Sequence, residues 1–99
     1  MVVTKSPIAK LFEERISHHA SRGLHGREIF EALAIDDALP GLFEAEDVAN
    51  ILGIQTDSLK RRRKDGEPPE FIRVGGRLVK YPKPAFCLML AAGYRSVAA

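Results

Sequence analysis

FEAEDVANILGIQTDSLKRRRKDGEPPEFIRVGGRLVKY, residues 43–81, is the stretch whose reading decides the organisation of this chain. Val48, Ile51 and Leu52 fall on one helical face and Ala49 is small enough for close approach, so a helix is expected over about residues 45–52. Gly53 ends it, since a residue able to adopt positive φ commonly follows a helix, and Ile54 plugs the turn. A second helix is expected to about Asp65, stopped by Gly66. Thr56 or Gln55 stands at its start, and threonine is the better cap. Pro68-Pro69 forces an extended path. Residues 71–74 and 78–81 are β-prone runs on either side of Gly75-Gly76-Arg77, which predicts a two-stranded hairpin with a short glycine turn.

Working outward, Ser6-Pro7 is a helix start, a capping residue followed by proline at the first helical position. Ile8, Leu11, Phe12 and Ile16 then recur at helical spacing. Gly26 opens a second candidate helix, with Ile29, Phe30 and Leu33 on one face. Residues 1–40 are therefore expected to form an N-terminal helical extension, its two apolar stripes either completing the small core or meeting a partner. After the hairpin a last helix is expected over about residues 85–92, with Phe86, Met89 and Leu90 inward, leaving 93–99 as a tail. The expected division is 1–40, 41–92 and 93–99. The expected fold class is mainly α with a small β-hairpin.

Ninety-nine residues amount to one domain, of a size that buries only a modest share of its surface. At 45% hydrophobic residues the composition is not that of a disordered tail. No apolar run approaches the roughly 18 residues of a spanning helix. The N-terminus lacks the apolar core and cleavage site of a secretory signal. Cys87 is the only cysteine, so no intrachain disulfide can form, and a cytoplasmic setting is expected.

The net charge of +2 conceals an asymmetry. Residues 1–40 carry five Lys/Arg against six Asp/Glu, and residues 41–57 carry four carboxylates and no Lys/Arg. Residues 58–83 carry nine Lys/Arg against three carboxylates. A helix and a β-ribbon that present one positive surface are the two elements that enter DNA grooves, so double-stranded DNA binding is the expected activity. With Leu59 set toward the core and about 100° per residue, Asp57, Lys60, Arg61 and Lys64 point outward and Ser58 lies at one margin. Arg62 and Arg63 fall back along the core edge, stems packed and heads free to reach phosphate. Arg61 is the candidate for reading a guanine edge. Asp57, four residues earlier, is placed to fix the Arg61 rotamer or to accept from a cytosine amine. Lys60, Arg63 and Lys64 suit backbone phosphates. Arg73, Arg77, Lys80 and Lys83 bracket the hairpin tip, where the bare backbone at Gly76 can approach a minor groove. The expected DNA-contacting set is Thr56, Asp57, Ser58, Lys60, Arg61, Arg63 and Lys64 on the helix and Arg73, Gly76, Arg77 and Lys80 on the hairpin.

The stretch from Leu42 to about Leu90 resembles the excisionase and AlpA-like winged helix-turn-helix proteins, relatives of the MerR superfamily. The matching features, in order, are EAEDVANILGI, SLKRRRKDG, PPEFIRVGGRLVKY and AFCLMLAAG. The resemblance implies a winged helix-turn-helix, with Ser58, Lys60, Arg61, Gly76 and Arg77 facing DNA. It implies a recombination directionality factor, which bends DNA, self-associates along it and steers an integrase toward excising a mobile element. Its alternative is an AlpA-like transcription regulator at a promoter. A DNA-recognition subunit of a viral packaging machine is a further alternative, which would need a longer C-terminal segment. The sequence departs from the family pattern at Arg62, at Glu44 as a helix cap, and at Pro82 and Pro84.

His18, His19 and His25 and the single cysteine make no spaced ligand set, so no metal is expected. There is no nucleophile motif and no phosphate-binding glycine loop leading into a helix, so neither enzymatic activity nor a cofactor is expected. Cys87, set among Phe86, Leu88 and Met89, reads as a buried thiol.

Overall fold

A computed structural model of the chain describes residues 5–95; residues 1–4, in the expected N-terminal extension, and 96–99, in the expected tail, lie outside the described residues. Five helices and a three-stranded antiparallel sheet follow in the order α1 (Pro7–Ser21), α2 (Arg27–Ala34), β1 (Leu42–Glu44), α3 (Ala45–Leu52), α4 (Thr56–Lys64), β2 (Ile72–Val74), β3 (Leu78–Pro82) and α5 (Lys83–Gly93). The architecture is mainly α. No helix is long and apolar enough to cross a membrane among the described residues.

Each helix begins and ends for a local reason. Ser6 caps α1, its Oγ accepting from the Ala9 N–H at 3.1 Å, with Pro7 in the first turn where no N–H is missed. The Ser6 hydroxyl also donates to Asp47 Oδ1 at 2.7 Å, and Asp47 Oδ2 accepts from the Glu44 N–H that opens α3. One buried carboxylate thus fastens the starts of two helices together. Gly53 closes α3 at φ 71°, a left-handed conformation that L side chains rarely adopt, and the Ile54 N–H returns to the Ala49 carbonyl at 3.0 Å. The cap of α4 is Gln55, and Thr56 is already helical; no side chain caps this end, so the preference for threonine at this boundary is corrected.

The sheet order is β1-β3-β2. The expected two-stranded hairpin is therefore one strand short. Leu42–Glu44 pairs antiparallel with β3, Phe43 opposite Tyr81 and Glu44 opposite Lys80. Three residues are too short for alternation to announce a strand; the buried Phe43 between exposed Leu42 and Glu44 is visible only once the partner strand is in place. Phe71 precedes β2 and is not part of it. The last helix starts at Lys83, two residues earlier than expected, because Pro84 is tolerated in a first turn.

The core is continuous across every element but β2, whose three residues are exposed. Phe12 of α1, Phe43 of β1 and Phe86 of α5 meet with ring centres 5.7–6.1 Å apart. Leu33 of α2, Val48 of α3, Leu59 of α4 and Tyr81 of β3 are fully buried in the same cluster, and Ile8, Leu11, Ile16, Ile29 and Phe30 pack against it. Both apolar stripes of the first forty residues cover this core. Cys87 is fully buried, and burial pushes its thiol up to about 12.

A second fastening is polar. Asp36, buried between α2 and β1, accepts from Arg15 Nε at 2.7 Å and from the Ala38 N–H at 2.9 Å, and its Oδ2 lies 2.8 Å from His19 Nε2. Lys83, expected on the basic surface, is buried here instead, donating from Nζ to the carbonyls of Asp36 (2.7 Å) and Leu39 (3.3 Å). No solvated cation spaced like its neighbours signals that role; only the fold places α5 beside the loop 35–41.

Burial pushes the Asp36 carboxyl up, but the hydrogen bonds from Arg15, the Ala38 amide and His19 outweigh it and hold the group at about 2. A carboxyl depressed in the folded state contributes stability above its unfolded value, near 4, and loses it as the pH falls toward 2. Urea unfolding between pH 7 and 2 is expected to lose on the order of 1–2 kcal/mol through this window, and Asp36→Asn is expected to flatten that part of the curve.

Candidate nucleic-acid interface

Strand alternation decides which hairpin residues can join α4 in a site. Tyr81 is buried against the core, so Val79, two residues earlier, and Arg73, opposite Val79, share its face of the sheet. Leu78, Lys80, Ile72 and Val74 take the other face. Leu59 buries one side of α4, and Lys60, Arg61 and Lys64 are exposed on the other.

The two surfaces enclose a cleft of about 710 Å³, lined by Asp57, Lys60, Arg61, Arg63, Lys64, Arg73, Arg77 and Val79. Six cationic side chains face one carboxylate across it. Arg61 of the helix and Arg77 of the hairpin tip line the same cleft, from two elements separated by the 66–71 connection. Gly75 and Gly76, with φ of 64° and 82°, make the tip; backbone of that hand is open to glycine, and nothing lies within 4 Å of where a Cβ would stand.

Arg63 is the hinge between the two walls. Its Nη1 donates to the Tyr81 hydroxyl at 2.7 Å, and its guanidinium carbon lies 5.9 Å from the centre of the Phe71 ring. Arg73 approaches the same ring at 5.6 Å. Phe71 is thus an aromatic base for two guanidinium groups, a cation–π arrangement that orders them without neutralising them. The sequence reading gave Arg63 to phosphate; the structure commits one of its nitrogens to the hairpin. Arg62 is half-buried and does not line the cleft.

The other candidate residues lie apart. Thr56 is exposed at the first turn of α4, Ser58 is half-buried at its margin, and neither lines the cleft. Lys80 stands on the opposite face of the sheet and pairs with Glu44 of β1. Gly76 sits at the tip, beyond the cleft walls. Val79 and Phe71 are residues of this site that the sequence reading left out, although period-two alternation from Tyr81 points to Val79.

The number of cations gathered in one place sets the cleft apart electrostatically. Lys5 pairs with Glu13, Arg15 with Asp36 and Lys80 with Glu44. Among the described residues no salt bridge engages Lys60, Arg61, Lys64, Arg73 or Arg77. Among the described residues only the Asp57 carboxylate stands among them in the cleft, an excess of positive charge that favours an anionic partner and an ionic-strength-dependent encounter.

Comparison of the chain with protein-family models, with curated proteins and with solved structures finds no match.

Replacing Tyr81 by phenylalanine removes the hydroxyl that holds Arg63 while keeping the buried ring. Loss of a hydrogen bond from a charged donor is expected to cost about 1–2 kcal/mol in denaturant unfolding, with faster amide exchange across β2 and β3. An unchanged exchange pattern would mean that the hairpin is held by its strand pairing alone.

Proposed function

We propose that this chain is a double-stranded DNA-binding protein of the winged helix-turn-helix type, with α3 and α4 as the helix pair and the β2–β3 hairpin as the wing. The reading is carried by one observation: six cations without a salt-bridge partner among the described residues line a single cleft between a short helix and a glycine-tipped hairpin. A helix of nine residues fits a major groove, and a bare hairpin tip with Arg77 beside it suits the adjacent minor groove. Arg61 is the base reader. Lys60, Lys64 and Arg73 hold phosphates, with the remaining donors of Arg63.

The finer role is that of an excisionase, a recombination directionality factor that bends an attachment region and promotes integrase-mediated excision. What supports it is the order of sequence elements from Leu42 to Leu90 and the small size of the cationic surface. One such module buries little DNA, so useful selectivity comes from several copies or from a recombinase partner. The same contacts at a promoter would make an AlpA-like regulator; extended, periodically spaced protection in footprinting favours the architectural role over a single operator.

About five or six phosphate contacts give a slope of log affinity against log salt near −5 in fluorescence anisotropy with a short duplex. Arg61→Ala is expected to weaken a preferred site about 5- to 100-fold and random duplex much less; equal losses on both would demote it to a phosphate contact. Arg77→Ala is expected to reduce the bend angle or the affinity with thermal unfolding unchanged. A salt-independent anisotropy signal would exclude DNA as the ligand of this cleft.

A further inference from the structure

We propose that Asp57 is a specificity-determining residue of the cleft. Its carboxylate opposes binding through phosphates alone and favours a duplex that presents a cytosine amine at that position. The inference rests on the DNA-binding reading above and adds to it what the cleft selects against.

Asp57 is the only carboxylate among the residues that line the cleft, where it faces Lys60, Arg61, Arg63, Lys64, Arg73 and Arg77. It stands three and four residues before Lys60 and Arg61, the spacing at which helical side chains meet. Yet among the described residues it makes no salt bridge and no side-chain hydrogen bond with either. Holding the Arg61 rotamer is therefore not its role in the free protein. Its oxygens are exposed and open to whatever enters the cleft.

An ionised carboxylate only accepts hydrogen bonds. Against a phosphate it has nothing to offer and repels it. Against the major-groove edges it has two donors to meet, the N4 amine of cytosine and the N6 amine of adenine. Adenine sets the N7 acceptor beside its amine, whereas cytosine offers the donor alone, so cytosine is the better partner. A purely electrostatic DNA binder gains nothing from a negative charge in its cationic cleft. A selective one gains, because the repulsive element weakens every complex that fails to compensate it. Charges of this kind near a surface change affinity by roughly five-fold at contact distance in water, and more as water leaves.

The rival explanation is local: a carboxylate in the first turn of α4 favours the positive end of that helix. Asp57→Asn and Asp65→Asn separate the two. Asp65 is exposed at the far end of α4, does not line the cleft, and its loss changes net charge equally. Duplexes enriched from a random pool by the wild-type chain supply the preferred site, and random duplex supplies the reference. Asp57→Asn is expected to bind random duplex about five-fold more tightly. Its ratio of preferred to random affinity is expected to fall at least five-fold, and a repeated enrichment to lose a cytosine preference at one position. Asp65→Asn is expected to shift both affinities equally and leave the enriched sequence unchanged. Equal behaviour of the two variants overturns the proposal, as does a loss of both affinities by Asp57→Asn together with a lower unfolding temperature. A wild-type chain that binds no duplex overturns the DNA reading itself and leaves this inference without a ligand.

Discussion

Tyr81 is the residue on which the geometry of the cleft depends. Its ring is fully buried opposite Phe43 in the strand register, so it fixes β3 to the core. Its hydroxyl reaches the edge of that core and accepts from Arg63, so it also fixes α4. One side chain therefore sets the distance between the two walls. The hydroxyl has a cationic donor, which satisfies its acceptor at the boundary between core and solvent and costs no buried unpaired group. Phe71 completes the arrangement, giving Arg63 and Arg73 a common aromatic surface from which their remaining donors face outward.

Crowding six cations into one cleft destabilises the free chain, and the rest of the molecule limits that cost. In the N-terminal part Lys5 pairs with Glu13 and Arg15 with Asp36, while Lys10, Arg22 and Arg27 stand away from the cleft. Lys83 is satisfied by two carbonyls in a buried site. The cations that crowd one another lie on one side of α4 and one face of the hairpin, where water and mobile ions screen them. Two carboxylates ahead of α4 serve capping and tethering: Asp47 joins α3 to Ser6, and Glu44 takes Lys80.

Much of this was legible in the sequence, and the exceptions have physical causes. The boundaries of α3 and the stop signals at Gly53 and Gly66 follow from backbone chemistry local to the residues concerned, and periodicity put Leu59 inward and Lys60, Arg61 and Lys64 outward. Two failures were local, the cap at Gln55 and the start of α5 at Lys83, and the others turned on pairing with residues distant in sequence. Three residues of β1 carry no pattern until β3 lies beside them. Lys83 resembles any other cation of the basic segment until Asp36 and Leu39 present their carbonyls, 47 and 44 residues away. Lys80 and Val79 are neighbours in the chain, and only strand pairing sends one to Glu44 and the other into the cleft.

The same pairing explains why the hairpin can be firm at its base and free at its tip. Near Tyr81 and Pro82, β3 is bound to β1, followed at once by α5 and tied through the Lys83 N–H to the Gly41 carbonyl at 2.8 Å. Past Lys80, where the pairing with β1 ends, the ribbon has only its own two strands, and the apolar side chains of Val74 and Leu78 are open to solvent. Local stability therefore falls along the hairpin from core to tip. Arg77 sits at the weak end and Arg63 at the strong one. A cleft built this way holds its helical wall at a fixed distance from the core through Arg63 and carries Arg77 on its least supported part.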